Sequence, residues 1–104
     1  MRDLAEPVAD IEEVVSRLNA AAPRLRALGV QSLTVFGSFV DGAPTGSSDV
    51  DFVVSPRPAT FRKLIEVEDA LADIMMRDVD VLTPAAVKPY LRERIERTGR
   101  RVAL

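Results

Sequence analysis

Eight consecutive residues near the middle of the chain, Asp41-Gly42-Ala43-Pro44-Thr45-Gly46-Ser47-Ser48, form a cluster of turn formers that must be loop. Whatever the chain folds into, this loop divides it between two short segments. Gln31 to Phe36, before it, is rich in β-branched and aromatic residues and has the length of a strand. Asp49 to about Ser55, after it, reads as a second strand ended by Pro56 and Pro58. Val79 to Leu82 supplies a third, and Val102-Ala103-Leu104 a short final one.

Helical periodicity fills the rest. From Pro7 to Leu28, Ile11, Val14, Val15, Leu18, Ala22, Leu25 and Leu28 recur at steps of three and four, the mark of one buried helix face. Asp10 and Glu13 have capping-box spacing, while Pro7 offers an earlier start. Pro23 should kink or split this stretch, and Gly29 should stop it. Thr60 can cap a helix carrying Leu64, Ile65, Leu71, Ile74 and Met75. Thr83-Pro84 opens a last helix through Val87, Tyr90, Leu91 and Ile95 to Gly99, with Tyr90 half-buried. The expected fold class is α/β (α+β), a small mixed sheet packed against helices, with residues 1–104 forming one domain.

Composition then narrows the chemistry. The 104 residues include no cysteine and no histidine, which excludes disulfides, thiol nucleophiles, Cys/His zinc sites and a Ser-His-Asp triad. A bound metal must take oxygen ligands, which favours a hard cation such as Mg²⁺. No apolar run is long enough to span a bilayer and the N-terminus has no signal-peptide character, so a soluble, cytoplasmic protein is expected. The formal charge of −2 gives no overall reason to expect a nucleic-acid partner.

Against that background one constellation stands out: Gly37-Ser38, ten intervening residues, then Asp49-Val50-Asp51. Side chains alternate along a strand, so Asp49 and Asp51 share a face about 6–7 Å apart, given a rise of about 3.3 Å per residue. No Lys or Arg lies between Ser38 and Pro56 to balance them, so a divalent cation is the natural counter-ion. Gly37 lets the backbone approach a ligand closely, and Ser38 offers a hydroxyl and an amide to a phosphate. A triphosphate on Gly37-Ser38 would share oxygens with Mg²⁺ on Asp49 and Asp51, a two-metal arrangement for phosphoryl or nucleotidyl transfer. Asp78 and Asp80 are candidates for a third carboxylate, a base or further ligand; Asp80, inside its strand, is better placed than Asp78 at the edge.

Gly37-Ser38 followed by Ser48-Asp49-Val50-Asp51-Phe52-Val53-Val54 resembles the signature of the DNA polymerase β-like nucleotidyltransferase superfamily. The short length, Val79-Asp80-Val81-Leu82-Thr83-Pro84 and Lys88-Pro89-Tyr90-Leu91-Arg92 are similar to its minimal nucleotidyltransferases, often antitoxins paired with a helical HEPN-type RNase toxin. The resemblance spans Leu33 to about Arg97. It implies a nucleotidyltransferase-like fold, Mg²⁺, and ATP or another nucleoside triphosphate as substrate. It also implies transfer of a nucleoside monophosphate to a hydroxyl, which in the toxin–antitoxin branch is a tyrosine of the partner toxin.

One position departs from the family pattern, which commonly has arginine four residues after the glycine; here that residue is Asp41. An acidic group beside a triphosphate should weaken binding unless it points away or a cation compensates. An alternative expectation is therefore an antitoxin that neutralises by binding alone. The C-terminal run Arg92, Arg94, Arg97, Arg100 and Arg101 reads as a solvated face, with Glu93–Arg97 and Glu96–Arg100 at helix-pair spacing. Its sharper reading is a phosphate- or partner-facing patch. Asp69 and Asp73 read as a solvated helix face.

Overall fold

The computed structural model describes residues 6–104. Among them, α1 (Ile11–Ala20) and α2 (Ala22–Ala27) replace the single long helix of the periodicity. The break falls at Ala21, with Pro23 in the first turn of α2, where its missing N–H costs nothing. The start is at Ile11 and not Pro7. Asp10 is extended and accepts from the Glu13 N–H at 2.9 Å, and the Glu13 carboxylate accepts from the Ala9 N–H at 2.8 Å. The capping box thus closes on the amide one residue upstream of the cap. Gly29 ends the unit with φ +87, where a Cβ would lie 1.9 Å from the Arg57 carbonyl oxygen.

Four strands then form one sheet among the described residues: β1 (Ser32–Phe36), β2 (Val50–Val54), β3 (Val79–Leu82) and β4 (Arg100–Ala103), in the order β3-β2-β1-β4. β1 is antiparallel to both β2 and β4, while β2 and β3 run parallel across the intervening helix α4 (Phe61–Met75). The expected final strand forms, shifted to include Arg100 and Arg101. Period-two alternation divides the sheet faces. Leu33, Val35, Val50, Phe52, Val54, Val81 and Val102 enter the core with Val14, Leu18, Leu25, Val67, Leu71 and Met75 of the helices.

Two devices fix α4 in place. Thr60 accepts from the Lys63 N–H at 3.1 Å and caps its start. At its end, buried Arg17 of α1 donates to the carbonyls of Ile74 and Met75 at 3.1 and 3.2 Å, and also to that of Glu6. A guanidinium can be buried here because it satisfies helix-end carbonyls that have no intrahelical partner. Ile65, expected on the buried face, is instead 43% exposed; Val67, Ala70, Leu71 and Met75 carry the packing.

The C-terminal region also differs from the expectation. Pro84–Ala86 is a separate 3-10 turn, and α5 begins only at Pro89, ending at Thr98. Proline disfavours helical geometry in the residue before it, and Lys88 is extended at φ −70, ψ 152. Thr83 makes no side-chain capping bond, and Tyr90 is 75% exposed where half-burial was expected. α5 approaches the face of the sheet opposite the core. Gly99, just past its end, sits so close to Thr34 that a Cβ would lie 2.8 Å from the Thr34 methyl carbon.

Candidate functional site

β1 ends at Phe36, and the chain turns sharply at Gly37 (φ 80, ψ −153) into the one-turn helix α3 (Ser38–Asp41). Two independent facts demand glycine there. The positive φ is strained for any side chain, and a Cβ would lie 2.2 Å from Oδ2 of Asp51. The Asp51 carboxylate therefore rests directly on the bare backbone of Gly37. Strand register brings them together, because Phe36 is the antiparallel partner of Asp51. No side chain caps the first turn of α3. Asp41, expected in the loop, is the last residue of this helix.

Register also separates the two candidates for a third carboxylate. Asp80 is the parallel partner of Asp51 in β3, whereas Asp78 precedes the strand. Asp49 lies one residue before β2, so it is not a true strand residue, but it still acts electrostatically on Asp51. Burial first, then the charge of Asp80, then that of Asp49, push the Asp51 carboxyl up to about 6. Burial and two neighbouring carboxylates thus oppose the ionisation of the third. Among the described residues, no three Asp or Glu side chains are gathered into a finished metal-binding cluster. The donor set nonetheless suits a hard cation: it is all oxygen, and Asp49 and Asp80 are exposed and free to turn toward a shared ion.

Arg77 is a participant that sequence reasoning overlooked. Its guanidinium donates to the carbonyls of Val8, Thr45, Gly46 and Ser48 at 3.1, 3.0, 3.2 and 2.9 Å. It also lies over the Phe39 ring, 5.3 Å from the centroid. The loop leading into Asp49 is therefore tied to the end of α4 and to α3. The Thr45 N–H, donating to Ser48 Oγ at 2.7 Å, tightens it further. The available signal was faint: an arginine directly before Asp78, with Asp73 four residues earlier suggesting only an ordinary helix-surface pair.

On the other side of Gly37 opens a cleft of about 510 Å³, between α3 and α5. Phe36, Leu91 and Ile95 give it apolar walls, and Ser38, Thr98, Asp41 and Arg94 supply its polar groups. Asp41 and Arg94 face each other across it at 2.6 Å. Asp41 is thus paired with a cation from the C-terminal run. Elsewhere in that run, Arg92 donates to the carbonyls of Pro84 and Val87, each at 3.3 Å. Asp73 is exposed and pairs with Arg24 at 2.9 Å.

Comparison with known proteins agrees with this geometry. Protein adenylyltransferase MntA of Thermococcus cleftensis is 33% identical over 89 residues, 84% of this chain and 90% of that protein. A solved structure of a candidate minimal nucleotidyltransferase superposes with a TM-score of 0.73 at 26% identity, covering 88% of this chain and 95% of the other. The fold is shared, at 20% identity and a TM-score of 0.60, by a chain from the complex of a tri-AMPylated Shewanella oneidensis HEPN toxin with its MNT antitoxin. That match covers 85% of this chain and 70% of the other. Residues 18–103 match the family described as polymerase beta nucleotidyltransferase, a span that includes the Gly37 turn, all three carboxylates and the cleft helix. The chain therefore belongs to the polymerase beta nucleotidyltransferase family.

Proposed function

We propose that residues 1–104 are a minimal nucleotidyltransferase domain that moves AMP from Mg-ATP to a hydroxyl, a tyrosine of a helical HEPN-type toxin, and so serves as the antitoxin. The observation that carries the reading is the Asp51 carboxylate, pressed onto Gly37 and crowded by Asp49 and Asp80. Such a group is held against its own ionisation unless a cation joins it. The toxin partner and the AMP donor are supported by similar proteins, a protein adenylyltransferase and the MNT antitoxin of an AMPylated HEPN toxin.

In this reading Gly37 and Ser38 receive the triphosphate, and Asp49 and Asp51 hold the metal with Asp80 as base or third ligand. Magnesium held by these carboxylates would supply positive charge against the reacting phosphate. The acceptor oxygen attacks the α-phosphorus, the bond to the β-phosphate oxygen breaks, and pyrophosphate leaves. Asp80 faces solvent beside Asp51 and is placed to take the acceptor's proton.

A second reading is favoured by Asp41, whose carboxylate lines the cleft where phosphates would lie. In that reading the protein neutralises its toxin by binding alone. Titration with ATP and GTP, with and without Mg²⁺, separates the two. Metal-dependent binding that disappears in the Asp49→Ala/Asp51→Ala variant, with loss of toxin neutralisation, supports transfer. Neutralisation that survives the double substitution leaves binding alone.

A further inference from the structure

We propose that the Asp41–Arg94 ion pair is a phosphate subsite closed by its own counter-ion, and that Arg94 exchanges Asp41 for the triphosphate when nucleotide enters. The inference rests on the nucleotide reading of the site and says which residue of the cleft grips the phosphates.

Charge and position lead to it. Arg94 is the one cation among the described residues that line the cleft beside Gly37 and Ser38. No lysine or arginine lies between Ser38 and Pro56. Arg77, the other cation near the carboxylates, already donates to four backbone carbonyls. A triphosphate keeps net negative charge even with one divalent metal, so the cleft needs a further cation, and only Arg94 is available on its walls.

The pair itself is built for exchange. The side chain of Arg94 is 60% exposed and that of Asp41 only 29%. Asp41 is the shorter, better-anchored partner at the end of α3, whereas Arg94 reaches across the cleft from α5 on a long stem. Exposed ion pairs hold weakly in water, and the planar guanidinium fork matches phosphate oxygens as well as it matches carboxylate. Swapping one anion for the other costs little and requires rotation of a single side chain. Asp41 then acts as a competitor that occupies the subsite in the empty cleft and keeps Arg94 pointed into it.

The test is calorimetric titration of Mg-ATP and of AMP into the wild type, Arg94→Ala, Asp41→Asn and the double variant. Thermal melting verifies that each is folded. Arg94→Ala should weaken Mg-ATP about tenfold or more but AMP less than about threefold, because only the longer phosphate chain reaches the guanidinium. Asp41→Asn should tighten Mg-ATP about threefold or more, and that gain should vanish when Arg94 is also alanine. Unchanged Mg-ATP affinity in Arg94→Ala, or equal losses for ATP and AMP, overturns the proposal while leaving the nucleotide reading intact. A gain from Asp41→Asn that persists without Arg94 overturns it as well. Failure of the folded wild type to bind Mg-ATP removes the nucleotide reading and this inference together.

Discussion

Arg77 and Arg94 both reach α3, the one-turn helix that follows Gly37, and are used in opposite ways. Arg77 spends its guanidinium on four main-chain carbonyls and the face of Phe39, tying down the loop that delivers Asp49. Arg94 is exposed and bonded to a single carboxylate across an open cleft. The difference lies in what the partners can do once the arginine is gone. Backbone carbonyls cannot move away without refolding the loop, whereas Asp41 simply returns to water. One arginine is therefore construction, and the other is exchangeable.

Substitutions should expose that asymmetry in stability. The largest effect is expected for Arg77→Ala, a loss of about 3 kcal/mol, since several carbonyls lose their donor at once. Its denaturation midpoint in urea should fall accordingly, and a loss under about 1 kcal/mol would place Arg77 in the same class as Arg94. Gly37→Ala follows at about 2 kcal/mol, from the positive φ and the collision with Asp51. It should also remove Mg-ATP binding, because Asp51 must move.

Asp51→Asn reverses the sign. The folded protein holds the Asp51 carboxyl up to about 6, above the ordinary value of about 3.9 in the unfolded chain. The folded state thus retains a proton that the unfolded chain releases, and stability from this group is lost as pH rises through about 6. The amide escapes that loss. Asp51 is only half-buried, so solvent screening reduces the expected gain to about 1 kcal/mol at pH 8, fading to nothing near pH 3.5. Melting curves at the two pH values check it, and a gain independent of pH would refute the electrostatic account. Magnesium should stabilise the wild type and not this variant. Smallest of all is Arg94→Ala, within about 0.5 kcal/mol in the absence of nucleotide, as expected for an exposed pair. A large loss there would erase the contrast between the two arginines.

Much of this was legible from residue order. The turn cluster before Asp49, alternation in Val50–Val54 and the exact span of Val79–Leu82 follow from local propensity and period. The contact between Gly37 and Asp51 was not, although both residues were singled out. Residue order places a glycine and a carboxylate at strand ends, but only antiparallel register sets one on the other. Helical spacing likewise suggested pairs between Glu93 and Arg97, while Arg94 found its partner 53 residues away in α3. Tyr90 and Ile65 were misplaced for a related reason: apolar periodicity marks a face without saying whether another element covers it.

The chain's sequence by itself determined the fold class, the loop, the oxygen-only chemistry and the acidic motif, because each depends on residues near one another along the chain or on composition. Tertiary structure set Asp80, which its place inside a strand already favoured, beside Asp51, and it alone decided which arginine braces the loop and which faces the cleft. Those are contacts between segments distant in sequence, created by sheet register and helix packing, and no local period encodes them.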